Sequence, residues 1–150
     1  MSIWGSNFED NDDAADWLSD FLDEPSIASL NDAFDEVLAH GEQDYVEVTE
    51  GAAALAAAAI TASIFDGTAT ELVVDEEAVA DLKAQARKLA KGARRSLVER
   101  ALSCVDAVGA TRRSELRQLI SERLDWSAEW TSRVAALHDR LHLLVQTVAG

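Results

Sequence analysis

A group of carboxylates stands near the start of the chain and is the first candidate for chemistry. It contains five acidic residues, Glu9, Asp10, Asp12, Asp13 and Asp16. Ca²⁺ and Mg²⁺ take several carboxylate oxygens from one short loop, and an EF-hand loop also needs Gly at its sixth position and Glu at its twelfth. Counted from Asp10, these positions hold Ala15 and Phe21. We therefore expect no metal ion here and interpret the cluster as the capping region of a helix.

Two histidines in the C-terminal part of the chain are a second candidate for metal binding. His138 and His142 are four residues apart, and Asp139 lies beside them. On a helix this spacing puts both imidazoles on one face, but they supply only half of a zinc site and no further ligand follows at a familiar spacing. We expect ordinary helix residues at these positions and no metal site.

The single cysteine, Cys104, excludes an intrachain disulfide. It lies between Leu102 and Val105 in an apolar helical pattern, whereas a reactive thiolate needs an accessible, electropositive setting. We expect a buried thiol. Because the chain also has no glycine-rich phosphate loop, nucleophile elbow or metalloprotease motif, we predict no catalytic residue and no cofactor. A non-enzymatic protein is favoured.

Charge is strongly segregated along the chain. The 150 residues carry a formal net charge of −15, and residues 1–82 contain 21 acidic and no basic side chains. From Lys83 onward there are 13 basic and 7 acidic residues. We call residues 1–82 the acidic half and residues 83–150 the basic half. The acidic half is either a solvated surface partly paired with the basic half or a docking surface for a basic partner.

The basic half contains one dense stretch, from Lys83 to Arg100, with seven basic residues and one acidic residue. Nucleic-acid surfaces usually interleave aromatic residues with such charges. This stretch has none, and its acidic neighbour in the same chain repels phosphate backbones. Nucleic acid is therefore an unlikely partner, and we expect these residues to pair with the acidic half.

Apolar spacing predicts an all-α fold of six or seven helices, orthogonal or bundle-like, in one compact domain over residues 1–150. Asn and Asp before the first helix, and Ser26 and Ser114 before later ones, are typical N-caps. The alanine-rich run Ala52–Phe65 predicts a central third helix. Gly92 is expected to separate the fourth helix from the fifth. Residues 44–48 alternate briefly and predict an extended connector.

The sequence shows no leader or anchor pattern. The run Ala52–Phe65 has 14 residues and includes Thr61 and Ser63, which is short of the roughly 20 that span a bilayer. The first residues have no basic stretch before an apolar one. We therefore expect a cytoplasmic protein with no membrane partner.

Four tryptophans stand towards the two ends of the chain: Trp4, Trp17, Trp126 and Trp130. Large aromatic side chains usually fill cores. We expect them to form a shared core that closes the N-terminal segment against the last helix.

The opening also carries a family resemblance. Trp4-Gly5 is followed by Phe8 and then by the acidic stretch that leads through Asn11 to Trp17. This opening resembles a bacterial family catalogued as domain of unknown function 4259. The order of an alanine-rich third helix and a Trp-bearing last helix is similar as well. The resemblance implies no activity and assigns no site residue.

Three hypotheses about function follow. In the first, a non-enzymatic bacterial protein docks a basic protein, such as a toxin or nuclease that it blocks, through its acidic half. The residues predicted to bind the partner are Asp20, Asp23, Asp32 and Asp35. The alternative is an enzyme or a small-molecule or metal binder with an acidic site near Asp10–Asp16. In the third, a homo-oligomer forms between the acidic half of one copy and the basic half of another.

Overall fold

Seven α-helices make up the regular structure of this chain. The computed structural model describes residues 7–8, 10–39, 45–67, 76–109, 114–122 and 124–148, with the backbone alone at 124 and 125. The helices are α1 Asp12–Asp23, α2 Ile27–Leu38, α3 Val48–Asp66, α4 Glu76–Arg87, α5 Lys91–Gly109, α6 Glu115–Ser121 and α7 Leu124–Val148. The predicted all-α fold with six or seven helices is confirmed.

Polar side chains begin three of these helices as predicted. Asn11, Ser26 and Ser114 each accept a hydrogen bond from the backbone N–H three residues later, which satisfies a donor that has no partner inside the helix. At the other end of α3, Gly67 has a φ of 73°. This left-handed conformation favours glycine and ends the helix cleanly. The predicted N-caps of these three helices are therefore confirmed.

Three helix boundaries differ from those expected. α3 begins at Val48, before the alanine run, and Leu124 opens α7 instead of extending α6. Gly92 lies inside the first turn of α5, so it does not separate the fourth helix from the fifth. The break comes earlier, where the N–H groups of Lys88 and Leu89 bond back to Gln85 and Ala86. Such i-to-i−3 bonds tighten and end a last helical turn.

The central position predicted for α3 is confirmed. Thirteen of its residues between Gly51 and Ile64 are buried, and α3 packs against each of the other six helices. Its small alanine side chains allow those helices to approach closely, and the hydroxyl of Thr61 donates to the Ala57 carbonyl. α3 has a mean hydropathy of 1.6 and is long enough to cross a membrane, but 72% of it is buried within the protein. This burial is that of a core helix.

The acidic and basic halves share one core and are also joined by polar contacts. The guanidinium of Arg100 donates to Asn31 at 2.9 Å and pairs with Asp35. Arg140 of α7 holds Asp66 at the end of α3 through two hydrogen bonds of 2.8 and 3.1 Å. The expected pairing between the halves is thus present at these two places.

The connector before α3 is extended, as predicted, over Tyr45–Glu47. Val46 forms a parallel bridge with Ser114, and the Val46 carbonyl accepts from the Glu115 N–H at 3.0 Å. The Glu115 carboxylate in turn accepts from the Val48 N–H at 2.8 Å. These contacts clamp the entrance of α3 onto the start of α6.

Enlarging a buried alanine of α3 is expected to destabilise the protein. Ala57 is fully buried, so Ala57→Leu should lower the free energy of unfolding by about 1–3 kcal/mol through overpacking. Ala84→Leu on the exposed face of α4 is the matched control, since both changes have similar helix propensity. Urea denaturation followed by circular dichroism measures both. Equal stability of the two variants would show that α3 is not packed on this side.

Candidate functional site

An acidic pocket opens where α1, α2 and the beginning of α3 meet. Its volume is about 530 Å³, within the range of about 300–1,000 Å³ typical of ligand sites. The lining residues are Trp17, Asp32, Ala33, Glu36, Glu47, Thr49, Glu50 and Ala53. Four carboxylates thus surround an indole ring and two alanine methyl groups. We refer to this site as the acidic pocket.

Each wall of the acidic pocket has its own structural support. Trp17 stacks on Phe21 with ring centroids 4.9 Å apart and planes 18° apart, which fixes the orientation of the indole. Asp32 and Glu36 are four residues apart and therefore lie on one face of α2. Glu47 is the N-cap residue of α3, but its side chain makes no capping hydrogen bond. The clamp on α6 holds its backbone in place.

The electrostatics of the acidic pocket favour a cation. Asp32, Glu36 and Glu47 are exposed, and no Lys or Arg in the described part of the chain pairs with any of the three. Asp13 adds a further negative charge at the rim, because its carboxylate accepts from the Thr49 hydroxyl at 3.0 Å. Like charges held together repel one another, and a bound cation removes this cost. The face of an indole attracts cations as well.

The shape of the acidic pocket suits a long basic side chain in particular. Ala33 and Ala53 provide an apolar floor, and Trp17 an apolar wall. Lys and Arg bury their methylene stems against apolar surface while their charged heads stay near polar groups. The arrangement can therefore bind an amine or guanidinium.

The four residues predicted to bind a partner do not lie together. Asp32 lines the acidic pocket. Asp20 and Asp23 are exposed on α1 outside it, and Asp35 on α2 is exposed but paired with Arg100. Trp17 and the three glutamates of the pocket were not predicted as site residues. The i, i+4 spacing of Asp32 and Glu36 was the one signal in the sequence that could have found part of the site.

The helix cap near the N-terminus is Asn11, which stands within the carboxylate cluster, and Asp12 and Asp13 lie in the first turn of α1 beside its positive end. The side chain of Asn11 accepts from the Ala14 N–H at 2.8 Å and donates to the Phe8 carbonyl at 3.2 Å. Asp10 accepts from the Asn7 N–H at 3.0 Å. Glu9 lies outside the described residues. Within the described residues, no group of three or more His, Cys, Asp or Glu side chains is placed to hold a metal ion.

The two histidines of α7 stack in parallel, with ring centroids 6.2 Å apart. Nε2 of His138 lies 3.1 Å from a carboxylate oxygen of Asp106 on α5, and Nδ1 lies 3.5 Å from Asp139. His138 borders a shallow groove of about 310 Å³ between α5 and α7. The contact with Asp106 links α5 and α7 at the surface.

Cys104 is fully buried, as predicted. Its thiol lies 3.7 Å from the Phe34 carbonyl oxygen, to which it donates. Burial raises the pKa of Cys104 to about 12, although the nearby charge of Arg100 lowers it in part. The thiol is therefore protonated at neutral pH and is not a nucleophile.

The described tryptophans occupy different surroundings. Trp130 is 2% exposed, and the guanidinium carbon of Arg117 lies 5.9 Å from its ring centroid. Trp17 is only partly buried, packing one side against the core while lining the acidic pocket. The core role is thus confirmed for Trp130 and holds in part for Trp17, and Trp126 is partly buried. The predicted closure of the N-terminal segment against the last helix is not confirmed, because α1 packs mainly against α3. Trp4 lies outside the described residues.

Comparison with known protein families shows the family of this chain. The model of a family described as a domain of unknown function, DUF4259, matches residues 2–133. The chain belongs to the DUF4259 family. All residues that line the acidic pocket lie inside the DUF4259 match. No curated protein and no solved structure matches the chain.

The two tryptophans should differ in their contribution to stability. Trp130→Ala is expected to cost about 3–5 kcal/mol, as when a buried aromatic side chain is removed. Trp17→Ala should cost clearly less, because part of its indole already faces solvent in the acidic pocket. Chemical denaturation of both variants measures the difference. Equal losses would contradict the placement of Trp17 at the pocket wall.

The buried thiol should make stability depend on alkaline pH. Burial raises the folded-state pKa of Cys104 to about 12 from the 9.0 of an exposed thiol. The contribution of the protonated thiol to the free energy of unfolding is therefore fully present below pH 9. It is lost as the pH rises towards 12, because the thiol ionises in the unfolded chain before it ionises in the folded one. Chemical denaturation of the wild type and of Cys104→Ala at several pH values measures the part of the pH dependence that comes from this thiol. A constant difference between them from pH 8 to 11 would contradict the burial.

Proposed function

We propose that the protein is a non-enzymatic interaction protein of bacteria that docks a basic protein partner through its acidic half. In this proposal the acidic pocket receives a Lys or Arg side chain of the partner, and the surrounding carboxylates steer the encounter. The protein works in the cytoplasm, with neither a membrane nor nucleic acid as its partner. A toxin or nuclease that it blocks is the kind of partner that fits best.

The acidic pocket is the observation that carries this proposal. Buried aromatic residues and desolvated Arg side chains dominate the energies of protein interfaces, whereas exposed rim charges mainly set the association rate. The acidic pocket offers both elements. Its carboxylates and the indole of Trp17 form an anchor for one cation, and Asp20 and Asp23 lie exposed on the neighbouring helix α1.

Inhibition of a nucleic-acid enzyme follows from the same charges. Enzymes that act on nucleic acids bind phosphate backbones with clustered Lys and Arg side chains. A chain with 21 acidic and no basic residues in its first 82 positions presents the same sign of charge as the backbone. Occupying such a basic surface would exclude the substrate without any chemistry by the inhibitor.

A second candidate is a binder of a small organic cation, because the acidic pocket is large enough for one without a protein attached. Spermidine is a suitable probe. If the pocket serves a small cation, spermidine should bind saturably and Trp17→Ala should weaken it. If it serves a protein, spermidine should bind weakly and a protein should be recovered from the native bacterium.

Two double variants test partner docking. Asp32→Asn with Glu36→Gln removes two charges from the acidic pocket, whereas Asp20→Asn with Asp23→Asn removes two from α1 outside it. The pocket variant should weaken partner binding at least about tenfold, mostly through faster dissociation, as for anchors at the centre of an interface. The α1 variant should mainly slow association. Partner capture followed by surface plasmon resonance measures both rates.

Changing the salt concentration further separates the effect on the association rate from the effect on the dissociation rate. Association should slow markedly between low salt and 0.15 M, where the screening length is about 8 Å. Circular dichroism controls for loss of helix. A captured partner that is itself acidic, or rates that respond neither to salt nor to either double variant, would rule out electrostatic docking and leave the acidic half as a solvated surface.

A further inference from the structure

A second pocket, of opposite charge, lies at the other end of α3. Its volume is about 140 Å³. It is lined by Lys83 and Arg87 of α4, Arg94 of α5, and the apolar residues Ile64, Phe65 and Ala86. Three cationic side chains thus meet over an apolar floor. We refer to this site as the basic pocket.

The three cations of the basic pocket are not paired within the described part of the chain, although the protein has 28 acidic and 13 basic residues. Other arginines show how readily partners are found. Arg95 pairs with Glu99, Arg133 with Glu129, and Arg140 with Asp66. No ion pair joins Lys83, Arg87 or Arg94 to a described carboxylate. A cluster of the rarer charge therefore persists without a carboxylate of the described residues to neutralise it.

Arg94 adds an independent observation that the basic pocket suits a hydrogen-bond acceptor. Its Nε atom is shielded from solvent and makes no hydrogen bond to a described residue. A buried donor without an acceptor lowers stability, and such groups are rare in native proteins. An acceptor that enters the basic pocket would remove this cost. The guanidinium fork suits an oxyanion that accepts two hydrogen bonds at once.

The end of α3 does not explain the cluster. Ile64 and Phe65 lie in the last turn of α3, where the helix dipole amounts to about −0.5 of an elementary charge. One cation is enough to offset it. Three cations leave a surplus of about +2.5. The negative end of α4, where Arg87 lies, and the positive end of α5, where Arg94 lies, offset each other.

We propose that the basic pocket binds the phosphate group of a small organic phosphate. A phosphate monoester carries a charge of about −1.5 to −2 at pH 7 and three strong acceptor oxygens, which matches the surplus. At ~30 Å³ per water-sized group, the pocket holds four or five heavy atoms, about one phosphate group. The organic part then lies at the pocket's mouth, against the partly exposed ring of Phe65. A carboxylate, with a single charge, would leave most of the surplus.

Calorimetric titration with phenyl phosphate, inorganic phosphate and acetate at constant ionic strength tests this site. We expect one saturable site that prefers phenyl phosphate to inorganic phosphate and binds acetate at least about tenfold more weakly. Arg87→Gln and Arg94→Gln should each weaken phenyl phosphate at least about tenfold, the loss of one charge-assisted contact. Lys88→Gln is the matched control, because Lys88 neighbours Arg87 but does not line the pocket.

Further arms identify the source of the phosphate. A short single-stranded oligonucleotide carries one charge per phosphodiester and should bind more weakly than phenyl phosphate. Tighter oligonucleotide binding would overturn a small-molecule site. So would the absence of saturable binding, or equal weakening by Lys88→Gln and Arg87→Gln. If Arg94→Gln unfolds, the affinities of Arg87→Gln and Lys83→Met for phenyl phosphate still test whether the pocket cations bind it. The test does not depend on partner docking, which uses other variants.

Discussion

The burial of α3 on all sides is the constraint on which the rest of the structure depends. An alanine-rich helix has no polar face to give to water, so six other helices must pack around Val48–Asp66. Alanine makes this feasible, since its short side chain brings neighbouring backbones close and keeps the helix itself favourable. The cost is that α3 offers little side-chain volume to fill the space at its two ends. The acidic pocket and the basic pocket lie at those ends.

This arrangement turns a segregation of charge along the chain into a segregation in space. The acidic pocket is lined from α3 by residues up to Ala53, and the basic pocket by residues from Ile64 onward, so about 17 Å of helix separates them at 1.5 Å per residue. The carboxylates surround the positive end of the α3 dipole, and the cations surround its negative end. Both placements are the favourable ones. Carboxylates at the C-terminal end of α3 and cations at its N-terminal end would both be repelled by the helix dipole.

Local order could be predicted from the sequence much better than the sites. The caps Asn11 and Ser114 and the helix over the alanine run each depend on neighbouring residues alone, and the structure confirms them. The acidic pocket instead depends on how α1, α2 and α3 cross. Asp32 and Asp35 looked equivalent on α2, but Arg100 on a distant helix neutralises Asp35 and leaves Asp32 beside Trp17. A contact across 65 residues of chain has no local signal.

Two pockets of opposite charge on one chain also bear on self-association. The acidic pocket of one copy could receive Lys83 or Arg87 of the next, and such head-to-tail contacts form rings or open filaments. Each copy, however, carries a net charge of −15, so two copies repel each other as they approach, and at 0.15 M salt this repulsion is screened only beyond about 8 Å. A phosphate in the basic pocket would compete for the same cations. A basic protein is attracted by the net negative charge of this chain, whereas a second copy of the chain is repelled by it. The charges therefore favour a different protein at the acidic pocket.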